Sequence, residues 1–489
     1  MTTMLIVFVL YLLALLVITF YTARKSQTAS DFVLGGKKIS GFSLALSERA
    51  TGESAWLILG LTGAAFYKGM HEIWTALGCV LGVIFIWLFM SNRLRLETEK
   101  TGALTINSLL SRKFPGSEKL IGTLSSLIVI FFLLFYIEAQ FYGGGKVLHD
   151  TFGLDPIWGL IIGSLIVVIY CMIGGFITVV ATDVLQAVLM IISLIILPVI
   201  LLYIASKSDI NIAVSLEKAG ESYNSITAGK TGVPAILLAL SGLSWAFGYT
   251  GQPHLLTRMM AIKNEKDVKI AKWVAIIWTL IAYTGAILIG WIGYAFVTNG
   301  LIPADAATRL ADVDHKGFEL IFPVLVNAFV FPVIAGLLLS GSISAMMSTA
   351  SSEIILCSSA VTEDLYRNYS KKKLSAKQEL WLNRIMTLIV GLAAFLMALT
   401  VKDSVFGLVS YAWSGIGSSF GPAILLLLFW KKISRAGIVA SLISGTVGTI
   451  IWKNFLEKDT GISERLASFI FAFAMAMLFS LLIPEKKKN

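Results

Sequence analysis

Apolar runs of about 20 residues recur along the chain, separated by short polar links. Continuous runs of that length suit a helix crossing about 30 Å of hydrocarbon. Barrel strands would instead show short segments of alternating polarity. The pattern predicts thirteen spans, at roughly 4–22, 41–67, 72–94, 120–147, 157–180, 182–205, 233–251, 271–298, 329–360, 382–401, 405–430, 434–454 and 465–483. An odd number puts the two termini on opposite sides of the membrane. No long polar stretch separates a second unit, so 1–489 reads as one all-α transmembrane domain. Within it, 1–40 holds the first span and an inside loop, 41–205 and 233–430 hold two blocks of five spans, and 434–489 closes with two spans and a basic tail.

Composition narrows the class. The chain is 57% hydrophobic and only 14% charged, against about 45–50% and about 25% for soluble domains. Its mean hydropathy is +0.83. A soluble globule, a disordered chain, a disulfide scaffold and a coiled coil are excluded. Cys79, Cys171 and Cys357 all sit in apolar runs and read as packing residues. The net charge of +10 does not point to nucleic acid here, because basic residues mark the cytoplasmic loops of a membrane chain. Placing Lys486, Lys487 and Lys488 inside puts most of the 39 Lys and Arg in inside loops. The N-terminus is then outside, and the opening MTTMLIV, with no basic n-region, reads as a retained helix. The run Lys371-Lys372-Lys373 reads as a solvated inside loop.

Ionisable residues inside a span are costly and mark functional candidates. The second span carries Ser47-Glu48-Arg49-Ala50-Thr51-Gly52-Glu53-Ser54, where Gly52 among small polar residues invites unwinding. The seventh carries Ser244-Trp245-Ala246-Phe247-Gly248-Tyr249-Thr250-Gly251-Gln252-Pro253. Two interrupted spans, five apart, suggest an inverted-repeat transporter, with spans 2–6 and 7–11 as the halves. Two kinked structural helices would read the same way. Span nine places Ser344, Ser348 and Ser352 on one helical face. Uncharged hydroxyl oxygens there suit a weakly held hard cation, or else helix–helix contact through small polar residues.

These stretches resemble the sodium/solute symporter family, closest to its sodium/proline symporters. The resemblance runs from Asp31-Phe32-Val33-Leu34-Gly35-Gly36, through Trp56 to Gly63 and Thr182-Asp183, to Gly248-Tyr249-Thr250-Gly251-Gln252-Pro253-His254. It continues in Met347-Ser348-Thr349, in Cys357 to Tyr366 and in Gly407 to Trp413. It implies thirteen helices, an outside N-terminus and a five-plus-five repeat. By matching motif it implies a Na⁺ site from the carbonyls of Ala50, Glu53 and Ala345 and the hydroxyls of Ser348 and Thr349. It implies a substrate pocket from Tyr136, Trp245, Tyr249 and Pro253; Gln140, on the same helical face as Tyr136, and Trp56 and Ser54, beside the span-two break, are read as further pocket residues. Asp183 matches a carboxylate near the inner exit, serving ion release, helix capping or both. His254 reads as a packing or interfacial residue.

The chain departs from that family at membrane depth. Gly52 stands where the proline symporters carry an aspartate, Glu48-Arg49 where small residues are usual, Glu138 where a small residue stands, and Glu353 in place of an amide. Glu48, Arg49, Glu138 and Glu353 could form an internal charge network, in which Arg49 and Glu53 pair at i, i+4. Glu53 could instead carry a proton or Na⁺, and Glu48 or Glu138 could face a cationic substrate. The expected function is a symporter of the bacterial cytoplasmic membrane that imports proline or a related zwitterion with Na⁺. H⁺ coupling, a cationic amine substrate and a sensor role stay open beside it. No HExxH, paired intramembrane aspartates or Walker loop occurs, so neither an enzyme nor an organic cofactor is expected.

Overall fold

The computed structural model describes residues 2–24, 29–370, 374–401 and 403–485. The basic runs Lys371–Lys373 and Lys486–Lys488 lie outside the described residues. Among the described residues every regular element is helical. Eleven helices among the described residues are long and apolar enough, by length and composition, to cross a membrane.

Two differences from the predicted thirteen have physical causes. The segment 41–68 is not one long apolar helix. It comprises Gly41–Gly52, a wide-pitched stretch Trp56–Leu61 and Thr62–Lys68. Helix runs through Gly52, and the bend falls one residue later, at Glu53 (φ −102°, ψ 1°). The predicted spans 157–180 and 182–205 are joined in one element, Pro156–Lys207. The direction change inside it is at Gly175, with φ 62° and ψ −157°, rather than near residue 181. A side chain would be strained at that φ, and a Cβ would also meet the Phe32 ring at 2.4 Å.

The second interruption is sharper. Gly232–Leu243 and Trp245–Tyr249 are followed by an extended Gln252 (ψ 110°), and then Pro253–Met260 begins with proline at its first turn. The sequence reading placed 252–270 in a basic inside loop. Instead, all eight residues of Pro253–Met260 are buried, Arg258 included.

Burial is reversed relative to a soluble protein. Peripheral helices present apolar side chains outward, such as Val17, Leu392 and Leu482, with 68%, 53% and 66% of their surface exposed. The serine-rich helix Pro332–Ser359 is buried without interruption from Leu338 onward. It packs against Pro156–Lys207, Glu118–Phe152 and the broken segment at Gly41–Gly52. Polar groups therefore concentrate at the centre, and aliphatic ones face the hydrocarbon.

Candidate functional site

The centre begins where the bent second segment meets the serine-rich helix. Ser348 Oγ donates to the Ala50 carbonyl at 2.9 Å and to that of Ala345 at 3.1 Å. Thr349 Oγ1 donates to the carbonyls of Thr51 at 2.8 Å and Ala345 at 3.1 Å. Five uncharged oxygens thus converge from two elements. A hydroxyl hydrogen rotates freely about its C–O bond, so each hydroxyl can turn its lone pairs to a hard cation without moving the backbone. Ala50, Ala345, Ser348 and Thr349 are brought together. The Glu53 carbonyl is not among them, since it accepts Leu57 N at 3.1 Å within the helix. Thr51, absent from the sequence reading, supplies the third carbonyl.

Beside this set lies a first charge cluster. Arg258 Nη2 donates to Asp183 Oδ2 at 3.2 Å and to Thr51 Oγ1 at 3.1 Å, and its Nε donates to Ser47 Oγ at 3.1 Å. Ser352 accepts from the same guanidinium. Ser47 donates to Asp183 at 2.5 Å. Asp183 lies inside Pro156–Lys207, so it does not cap a helix. Arg258 escaped the sequence reading because it sits just past a broken span, where a basic residue reads as loop. The signal that was present is its position five residues beyond Pro253, the length of a short amphipathic helix.

A second cluster is built on Arg49. Arg49 Nε donates to Glu48 Oε2 at 2.6 Å, and Nη1 donates to Glu53 Oε1 at 2.6 Å and to Thr279 Oγ1 at 3.0 Å. Trp87 Nε1 reaches Glu48 at 3.0 Å. The Tyr283 hydroxyl donates to the other Glu53 oxygen and accepts from Tyr249 at 2.9 Å. Glu48, Arg49 and Glu53 are all fully buried. Three ionisable groups at membrane depth persist because every one is paired and hydrogen-bonded.

Glu138 and Glu353 do not join that cluster, which corrects the four-residue network expected from the sequence. Glu138, buried on Glu118–Phe152, has no hydrogen-bond partner for Oε2 among the described residues. Glu353 is fully buried, with neither oxygen hydrogen-bonded among the described residues. The group facing it is His254, at 3.9 Å from Nδ1 to Oε1. His254 is also fully buried, so it is not interfacial, and neither ring nitrogen has a hydrogen-bond partner among the described residues.

The predicted substrate residues divide into neighbouring groups. The Trp56 and Trp245 rings lie 4.4 Å apart. Phe406 packs 6.0 Å from the first and 5.7 Å from the second. Phe406 and Arg465 also line a cavity of about 310 Å³ with Lys68 and Lys230. Tyr136 approaches Ser54 Oγ at 3.4 Å and sets its ring edge-on to His254 at 5.7 Å. Gln140 accepts the Ala55 N–H at 2.9 Å, satisfying backbone just beyond the bend. Tyr249 belongs to the Arg49 cluster, and its ring meets Trp413 at 4.7 Å. Pro253 starts the helix that carries His254 and Arg258. Gly248 permits this approach, because a Cβ there would overlap the Trp413 indole.

Comparison with known proteins matches residues 32–445 to the family model described as the sodium:solute symporter family. The chain is 35% identical over 482 residues to the sodium/proline symporter of Escherichia coli (strain K12), covering 98% of this chain and 93% of that protein. It is 33% identical over 481 residues to the osmoregulated proline transporter OpuE of Bacillus subtilis (strain 168), covering 98% and 94%. Among solved structures, a substrate-bound, outward-open Na⁺-coupled sialic acid symporter superposes with a TM-score of 0.82 at 18% identity, covering 99% of both chains. At that identity the likeness speaks for the fold.

Proposed function

Because the chain belongs to the sodium:solute symporter family, we propose that it imports proline with Na⁺ across a bacterial cytoplasmic membrane. The observation that carries this reading is the convergence of Ser348 and Thr349 hydroxyls on the carbonyls of Ala50 and Thr51 across the bend. Relatives named for sodium/proline symport and proline transport match it over nearly their whole length.

The architecture is read with it. Dividing Pro156–Lys207 at Gly175, and counting 41–68 as a broken span, turns the eleven apolar helices into thirteen. Spans 2–6 and 7–11 then form an inverted repeat, with the N-terminus outside and the C-terminus inside. The cation site joins an element of the first half to one of the second. Occupying it favours one relative placement of the halves, which is how ion binding prepares the substrate site. Substrate docks by the Trp56–Trp245 and Tyr136 rings, and Phe406 separates it from the outer cavity. The inward movement of one charge contributes about 2.3 kcal/mol per 100 mV, enough for more than tenfold accumulation. The Glu53 carboxylate is held by Arg49 and Tyr283, so it serves as scaffold and Na⁺ remains the coupling ion.

The test is uptake of labelled proline into liposomes holding the purified protein, under separate Na⁺ and H⁺ gradients. Uptake that follows Na⁺ alone is expected. Uptake driven equally by a pH gradient without Na⁺ would overturn the choice of ion, and no proline uptake under either would overturn the substrate.

A further inference from the structure

The two charge clusters consume both buried arginines at the centre. Arg49 is bound to Glu48 and Glu53. Arg258 is bound to Asp183, Ser47, Thr51 and Ser352, with its Nη1 on the His254 carbonyl at 2.8 Å. Glu353 takes a hydrogen bond from neither, although the Arg258 charge acts on it through space. It is a buried acid with no hydrogen-bond donor among the described residues, facing an imidazole that also has none. Burying such groups unpaired costs free energy unless something else completes them.

What would complete them is set by the donor chemistry. Carboxylate oxygens accept, and a neutral imidazole offers one accepting nitrogen beside its N–H; here His254 Nδ1 and Glu353 Oε1 stand 3.9 Å apart, too far to bond each other. A nitrogen carrying two or three N–H bonds can donate to both from one position. A hard metal ion prefers an all-oxygen set, and among the described residues no group of three or more His, Cys, Asp or Glu could hold a metal.

We infer that Glu353 and His254 form the subsite for the substrate's positively charged amino group. This rests on the proposed uptake of a zwitterion and assigns recognition of its positive end. Losing a hydrogen bond to a charged partner corresponds to a weakening of about 10- to 100-fold.

The experiment compares wild type with Glu353→Gln in liposomes, using proline and, as competitor, tetrahydrofuran-2-carboxylate, in which ring oxygen replaces the amine. The expected result is a 10- to 100-fold rise in the proline concentration for half-maximal uptake. Na⁺ activation at saturating proline should change less than twofold, and the preference for proline over the oxygen analogue should collapse. An unchanged preference, or a shift confined to Na⁺ activation, would overturn the assignment. Thermal unfolding in detergent, with no ligand, adds a reading that a structural role would not produce. Glu353→Gln should unfold no earlier than wild type, because it removes an unpartnered buried acid; earlier unfolding would make Glu353 a scaffold residue and overturn the subsite. Pyrrolidine, the cation without the carboxylate, should stabilise wild type and not the variant. That outcome in a protein that takes up no proline would remove the proposed function and leave the subsite standing. Equal stabilisation of both proteins would remove the subsite.

Discussion

Two fully buried acids meet opposite circumstances. Glu53 has a guanidinium on one oxygen and a tyrosine hydroxyl on the other. Glu353 has an imidazole 3.9 Å away and no hydrogen bond among the described residues. The first is completed by the fold, and the second waits on something outside it. A charge that is fully paired inside a membrane protein holds elements together, because removing any partner exposes the rest to the desolvation cost. An acid without a partner contributes nothing to the scaffold and is free to recognise a ligand. From sequence alone Glu53 was a candidate cation ligand, ion carrier and partner of Arg49, and Glu353 one member of a possible charge network.

The comparison breaks most visibly at Arg49. Arg49→Met strands Glu48 and Glu53 in a buried site. The loss of stability should be about 3–5 kcal/mol, read as a large fall in detergent unfolding temperature or in folded yield. A variant that expresses and unfolds like wild type would show that the Arg49 cluster is not a scaffold. The effect next in size concerns the oxygens between the two clusters. Ser348→Ala combined with Thr349→Ala removes two neutral hydroxyls, each worth about 1 kcal/mol. The Na⁺ concentration for half-maximal proline uptake should rise about tenfold or more, with yield little changed. Unaltered Na⁺ activation in the double variant would relocate the cation site. The smallest effect calibrates the others. Lys269 and Glu265 form a pair at 3.4 Å with 71% and 64% of their side-chain surfaces exposed. Lys269→Ala should move stability by no more than about 0.5 kcal/mol, measured in the same unfolding assay. A loss comparable to that of Arg49→Met would mean that burial is not what separates these pairs.

Legibility followed the range of the interaction. The i, i+4 spacing of Arg49 and Glu53 lies within one helix, so their pairing could be read from spacing. That Ser348 and Thr349 meet the carbonyls of the second segment came from the motif resemblance rather than from spacing, since 298 residues separate Ser348 from Ala50 and Thr349 from Thr51. Thr51 in place of Glu53 as carbonyl donor was not legible. It depends on where the helix ends: with the bend at Glu53, the Ala50 and Thr51 carbonyls fall in its last turn, where carbonyls lack an intrahelical N–H. Arg258 was missed because charge pattern marks loops reliably only when nothing folds back over them.

Hydrophobic run length and the scarcity of charge determined by themselves that this chain is a helical, many-span membrane protein, because a bilayer leaves few other arrangements for such a composition. The breaks in spans two and seven were also visible, since glycine, proline and small polar residues at membrane depth are local features. Only the tertiary structure decided which of the buried acids are satisfied. Whether Glu48, Glu53, Asp183 or Glu353 finds a cation depends on which helices meet at that depth. Packing sets those meetings over hundreds of residues, through close approaches such as Gly248 against Trp413, and no local pattern along the chain encodes them.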